Sequence, residues 1–338
     1  MNIILMDRKR YAGILCLFFL FFLVTIAITP LIGSIQIDLE KAFSKDLAFN
    51  DNVDASILFL ARIPRIILAA LTGAALSIAG AVLQSLLRND LAAPFTLGVS
   101  SGAALGAVIA MSLGLPHAIL GIPTVPIAAF LGALGAITLV FSLARTRTGE
   151  FPTSVLLLAG VTANFFFAAL VMLIHYLSDF TQSFRIVRWL MGGLDITSYK
   201  TLISISPMIF IGFGILMFFS RDLNIISTGL QSAMSRGVEV IKIQKIGFIM
   251  ASLLTGAVVA LSGPIGFVGL IVPHIVRLMV GPDLRILLPA SMFFGASFLI
   301  LCDTLARIII APTEIPVGII TAMLGGPFFV WLLKRPKT

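Results

Sequence analysis

Few side chains in this sequence are equipped for chemistry. Of its 338 residues, 23 are Lys or Arg, 15 are Asp or Glu and three are His. The most suggestive cations are Arg62 and Arg65, three residues apart, and Arg307, four residues after Asp303. Such spacings stack side chains on one face of a helix. A guanidinium offers a fixed fork of donors that suits carboxylates and phosphates, which is recognition rather than turnover. Nothing else forms a reactive set. His117 and His175 stand alone, and Cys16 and Cys302 lie inside apolar runs, where they read as small buried hydrophobes. No phosphate loop of the form G-x-x-x-x-G-K-[ST] occurs, and no glycine is followed by lysine. The residues call for no cofactor, no metal and no catalytic role.

The elements that must carry these groups are membrane helices. The chain is 59% hydrophobic and 11% charged, with mean hydropathy +1.11. A soluble domain has roughly a quarter of its residues charged. The net charge of +8 does not point to nucleic acid, because the charges sit in short clusters between apolar runs of about 20 residues, a bilayer-spanning length. The first run, after Arg8, Lys9 and Arg10, is too long for a signal peptide and no small-residue cleavage site follows, so it reads as an uncleaved span. Ten helices are expected, near 11–33, 64–87, 95–113, 121–144, 153–177, 201–220, 243–262, 266–280, 284–307 and 316–333, the third and eighth short and glycine-rich. The fold class is an all-α integral membrane protein, one polytopic domain over 1–338. With the first residues in the cytoplasm, 15 of the 23 basic residues fall on inner segments and 8 on outer ones. The positive-inside bias therefore puts both termini in the cytoplasm. Arg62, Arg65 and Arg307 fall on the outer side, against that bias. On the residues alone, they either snorkel to lipid headgroups or serve a partner.

One stretch recurs. Leu71 to Gly80 reads LTGAALSIAG and Leu254 to Gly263 reads LTGAVVALSG, five of ten positions identical at an offset of 183. The copies fall on helices of opposite direction, which predicts an inverted repeat pairing helices 2–5 with 7–10.

The second copy runs into GPIGFVGLIVPHIVR, which disrupts its own helix. Gly263, Gly266 and Gly269 recur every three residues and would form a smooth strip for close helix approach. Pro264 and Pro273 withhold backbone donors. Such backbone survives at membrane depth only when buried in protein or lining a cavity, so a tight packing corner is expected at Gly263, Gly266, Gly269 and Pro273. His274 and Arg277 would sit at its cytoplasmic end. In the longest inner loop, residues 229–240 place Leu230, Ala233 and Met234 on one face of a short helix that Gly237 can terminate. That face suits either a lipid surface or a protein groove.

These stretches resemble the FecCD-type permeases, the membrane subunits of ABC importers for iron–siderophore complexes, haem and cobalamin. GPIGFVGLIVPHIVR continues through DLRILLPASMFFGASFLILCDTLAR to EIPVGIITAMLGGPFFVWLL. RIPR (62–65), GAVLQSLLRNDLAAPFTLGVSSGA (80–103), LLLAG (156–160) and WLMGGL (189–194) match as well, in family order. Asp90 departs from the pattern, which usually has proline after the asparagine. The resemblance implies a homodimer in the bilayer, two separate ATP-binding cassette subunits, and a periplasmic or lipid-anchored substrate-binding protein. It implies that Arg62, Arg65 and Arg307 receive that protein's acidic residues, and that Leu230, Ala233, Met234, Arg236 and Gly237 couple to the ATPase. It also implies that Asn89, Leu91, Thr153 and Ser154 narrow the cytoplasmic mouth of the path. Read without it, Thr153 and Ser154 are N-cap residues. The competing reading is a transporter driven by an ion gradient, which needs ionisable groups deep in the bundle. Asp303 and Glu314 are instead expected toward the outer end.

Overall fold

A computed structural model describes residues 8–44, 52–116, 118–119, 122–144, 152–195 and 198–334. His117, Lys45, Arg145, Arg147, Arg335 and Lys337 lie outside them. In chain order the helices are α1 (Arg8–Ile28), α2 (Leu39–Ala42), α3 (Val53–Ser56), α4 (Ile63–Leu87), α5 (Val99–Ser112), α6 (Thr124–Ala144), α7 (Thr153–Leu177), α8 (Phe180–Leu190), α9 (Tyr199–Phe218), α10 (Ser220–Thr228), α11 (Leu230–Ser235), α12 (Val240–Ser262), α13 (Val268–Val280), α14 (Leu284–Ile308) and α15 (Val317–Lys334). Two two-residue strands, β1 (Ala118–Ile119) and β2 (Ile122–Pro123), pair antiparallel. Among the described residues, seven helices are long and apolar enough to cross a membrane, and three shorter apolar ones accompany them. These are the ten expected helices, with α5, α13 and α15 the short ones.

The centre of the bundle is α4. Of its most apolar window 83% is buried, against 17% for α1. Small residues make this possible. A Cβ on Gly73 would strike the Gly295 carbonyl of α14, and one on Gly80 the Gly269 carbonyl of α13. Without a hydrophobic force between helices in lipid, such backbone contact is what packing can gain. The repeat copies lie on α4 and α12, which pack on each other. Gly247, near the start of α12, faces Leu86 and Val82, near the end of α4. The two copies thus run antiparallel.

Several local expectations change. The second helix does not begin at Pro64. Helix continues backward through a π-helical turn, Ile57–Arg62. Proline has no N–H to donate to an α-helical bond, and the wider i→i+5 turn ahead of it absorbs the defect. The Gly263, Gly266 and Gly269 strip is not a helical face. Residues 263–267 leave the helix, with Gly263 at φ +65° and Phe267 at φ +68°. Helix resumes only at Val268, and Pro273 lies inside it. Gly263 packs on the Trp189 carbonyl and Gly269 on the Leu76 carbonyl, but nothing lies within 4 Å of a Cβ built on Gly266. The corner is real, and its three glycines face three surroundings. The inner-loop helix is α11, where it was expected, and a further helix, α10, precedes it, with Gly229 at φ +141° between the two. Helix α8 was not anticipated. Asp179 accepts from the Gln182 amide at 2.8 Å to cap it.

The bundle has two polar ends. One, the arginine end, gathers Arg62, Arg65, Arg307 and the loops at 30–35, 192–195 and 309–316. The other, the loop end, gathers the segment after α4, the α10–α11 pair and the α13–α14 turn. Helix α1 starts and α15 finishes at the loop end.

Candidate functional site

At the arginine end three cations converge from both halves of the chain. The long helical run Val53–Leu87 brings Arg62 and Arg65 one turn apart, and the last turns of α14 bring Asp303 and Arg307. Asp303 is the hub, at 1% exposure. Its Oδ1 and Oδ2 accept from Arg65 Nε at 3.0 and 3.1 Å, and Arg65 Nη2 lies 2.9 Å from Oδ1. Arg307 Nε is 3.2 Å from Asp303 Oδ2, an ion pair by distance although its N–H is not aimed at the oxygen. Arg307 Nη2 also donates to Thr304 Oγ1 at 3.2 Å. Among the described residues Arg62 makes no carboxylate contact. It donates to the Pro30 carbonyl at 2.7 Å and to the Ile35 carbonyl. Glycine at 33 leaves room for it, since a Cβ there would lie 2.6 Å from Arg62 Nη2. Arg65 Nη1 reaches further out, to Glu314 Oε2 at 2.6 Å.

Two of the three arginines expected to meet a partner's acidic residues are buried within the chain itself. Arg62 is 6% and Arg307 4% exposed. The chain folds its own 30–35 segment over Arg62 and supplies Asp303 to Arg307, because a guanidinium removed from water must be paired. Arg65 is the most reachable of the three. All three still line one cleft of about 460 Å³, with Asp195 and Glu314 on its wall. A second cleft of about 500 Å³ adjoins it, lined by Arg188, Phe184, Met191 and Val317 among others, and shares Arg65, Asp195 and Glu314 with the first. Asp195 is itself paired, at 3.0 Å, with Arg188 of α8.

The loop end is built from smaller pieces. Arg88 caps α4 in the left-handed region, at φ +48°. The Asn89 side chain then accepts from the Leu91 amide at 2.9 Å, a local turn that leaves Leu91 half exposed. Asp90 pairs with Arg277 of α13. Arg277 Nη2 also donates to Gln84 Oε1 at 2.9 Å. The departure at Asp90 thus ties the loop to α13 by charge. Thr153 and Ser154 open α7, but the N-cap position is Pro152 and neither side chain caps the helix. Thr153 is partly buried and Ser154 exposed. The α7 helix bears on the segment after Leu91, where Gly160 packs on the Thr96 carbonyl.

In α11 the expected face is split. Ala233 is fully buried and Leu230 partly so, while Met234 is half exposed. Arg236 and Gly237 are exposed. Gly237 ends the segment at φ +80°, as expected. One anchor was missed. The Asn224 side chain of α10 donates to Asp283 Oδ1 at 2.7 Å and accepts from the Leu284 amide at 2.8 Å. Burial alone would raise the Asp283 carboxyl, but the bond from Arg285 and that from Asn224 outweigh it and hold it below its usual range. His274, edge-on to the Phe328 ring, has both ring nitrogens buried without a partner among the described residues. Phe165 and Phe166 face outward and Phe167 is buried.

Comparison with known proteins completes the picture. A solved metal-chelate type ABC transporter in an inward-facing conformation superposes with TM-score 0.82, at 32% identity over 96% of this chain and all of that one. The hemin transport system permease protein HmuU of Yersinia pestis is 40% identical over 278 residues, 82% of each chain. The cobalamin import system permease protein BtuC of Halobacterium salinarum is 42% identical over 301 residues, 88% of this chain and 78% of that one. The model of the FecCD transport family matches residues 19–335. With helices that cross a membrane many times and a match over nearly its whole length, the chain is a multi-pass membrane protein and belongs to the FecCD transport family.

Proposed function

We propose that the chain is the permease subunit of an ABC importer that carries a metal chelate into the cytoplasm. The observation that carries this reading is the family match over residues 19–335, shared with hemin and cobalamin permeases. The charge distribution supports it. Among the described residues ionisable groups cluster at the two polar ends, and no intramembrane carboxylate away from the arginine end offers itself for ion coupling. The loop end is cytoplasmic in this reading, and the arginine end faces the periplasm or cell exterior of a bacterial inner membrane. Two copies enclose a path along their interface, within one polytopic domain each.

Each end then has a role. Met234, Arg236 and Gly237 present the exposed rim of the coupling segment to an ATPase subunit, with Leu230 and Ala233 fixing it from beneath. Asn89, Leu91, Thr153 and Ser154 lie where the path meets the cytoplasm. A substrate-binding protein docks at the arginine end, with Arg65 the cation best placed to meet a carboxylate. The chain alone in liposomes takes up neither haem nor cobalamin against a gradient, and the assembly with ATPase and binding protein takes up one of them on ATP. Uphill uptake by the lone chain on a proton or sodium gradient would overturn the assignment.

A further inference from the structure

The Arg65 guanidinium holds two carboxylates of very different standing. Asp303 grips Nε and Nη2 from a site 1% exposed. Glu314 grips Nη1 at 2.6 Å from a side chain 41% exposed. The buried pair is fixed, because removing either partner strands a charge out of water. The exposed pair is weakly held, since solvent screens it and its geometry is freely remade. Glu314 also sits in the loop between α14 and α15, on the wall that the two outer clefts share.

We infer that Glu314 is an internal stand-in for the docking carboxylate. It occupies the one outward-facing N–H edge of Arg65 until an acidic residue of the substrate-binding protein displaces it. Asp303 stays in place throughout and keeps the guanidinium aimed outward. The Arg65 guanidinium is thus paired before docking and after it, and the displaced Glu314 carboxylate returns to water. The stand-in also keeps free anions off Arg65, so that a carboxylate gains the position only when the rest of a docking surface comes with it. This rests on the reading of the arginine end as the docking face. Glu314 is a positioning residue for docking, not part of the transport path.

Two measurements test it on the full permease–ATPase complex in nanodiscs. The first is phenylglyoxal labelling read by mass spectrometry, which needs no partner. Glu314→Gln should label Arg65 about threefold faster, with Arg62 and Arg307 unchanged as buried controls. The second is association of the transporter's own substrate-binding protein, followed by surface plasmon resonance. Glu314→Gln should raise the association rate about threefold, the scale of an exposed pair. A gain of this kind does not arise from misfolding.

Asp195→Asn is the control for net charge. It removes an equal charge from the same clefts, but from a carboxylate paired with Arg188. An equal gain in Asp195→Asn would reduce the effect to the local field and overturn the stand-in. If Arg65→Gln abolishes docking while Glu314→Gln changes neither rate, docking through Arg65 stands and the stand-in is wrong. If Arg65→Gln leaves docking intact, the docking face itself is misplaced and the proposal goes with it.

Discussion

The two ends of the bundle treat their polar groups in opposite ways. At the arginine end Arg62, Arg307 and Asp303 are drawn out of water, and Arg65 is paired with Asp303 across 238 residues. At the loop end short helices and turns keep most charge exposed. Arg236 and Glu239 stand in the open, and Asn89 bonds only its own turn. The difference fits what each end must tolerate. A rigid charged frame can receive a partner without changing shape, whereas a loop pinned by few bonds can move when pushed. Local stability in proteins varies in this way, with moving elements drawn from the weakly held regions.

The strongest way to break the comparison is at the hub of the frame. Asp303→Ala leaves Arg65 with one exposed partner and Arg307 without a carboxylate, both largely out of water. Breaking a buried pair by removing one partner costs about 3–5 kcal/mol. The variant should therefore give little folded protein, read by fluorescence-detected size exclusion in detergent. Arg62→Ala and Arg307→Ala should follow in the same assay. Arg236→Ala at the loop end should match the unaltered chain, within about 0.5 kcal/mol in thermal stability. Equal yields for Asp303→Ala and Arg236→Ala would show that the frame adds nothing to stability.

This ordering also shows how far the sequence could be read. The ten helices were legible because apolar runs of bilayer length leave few alternatives, and the three-residue spacing of Arg62 and Arg65 gave their one-turn separation. Burial of the arginines was not legible. It depends on the 30–35 segment folding back over Arg62 and on α14 meeting α4, both long-range events with no local signature. Asp303, four residues before Arg307, gave the one hint of pairing. Asn224 was missed for the same reason. A lone asparagine in a polar loop carries no mark of the turn 59 residues on that it caps. A Gly-x-x-Gly-x-x-Gly pattern was read as one helical strip, although Gly263 and Phe267 at positive φ take residues 263–267 out of the helix.

A moderate effect is expected at Asn224, the fixed point of the loop end. Asn224→Ala removes two hydrogen bonds to the α13–α14 turn. At about 1 kcal/mol each, this should loosen α10 and α11 without unfolding the bundle. The ATPase subunit should still co-purify, and ATP hydrolysis should persist while cargo moved per ATP falls several-fold. A variant with unchanged cargo per ATP would show that the turn is held by other contacts and that the loop end is stiffer than described.

The smallest effect is expected at Gly266, where the two regimes meet. Its neighbours in the corner are tightly held. Gly263 abuts the Trp189 carbonyl, and a Cβ at Gly269 would lie 2.8 Å from the Leu76 carbonyl. Gly269→Leu should therefore force α13 away from α4, and overpacking of this kind typically costs about 1–3 kcal/mol. Gly266 borders a shallow cavity of about 570 Å³ with Leu190, Met191, Ile319 and Met323, and its backbone has no positive φ to defend. Gly266→Leu should fold with normal yield and stability, the opposite of what a continuous glycine strip requires. The informative pairing is with uptake in the assembled transporter. Normal yield with normal uptake places Gly266 on a lipid face. Normal yield with uptake lost places the cavity on the path or against the second copy, because a side chain that leaves the fold untouched then blocks only what the assembly adds. Loss of yield at Gly266 equal to that at Gly269 would restore the strip and extend the tight packing of the arginine end through the whole corner.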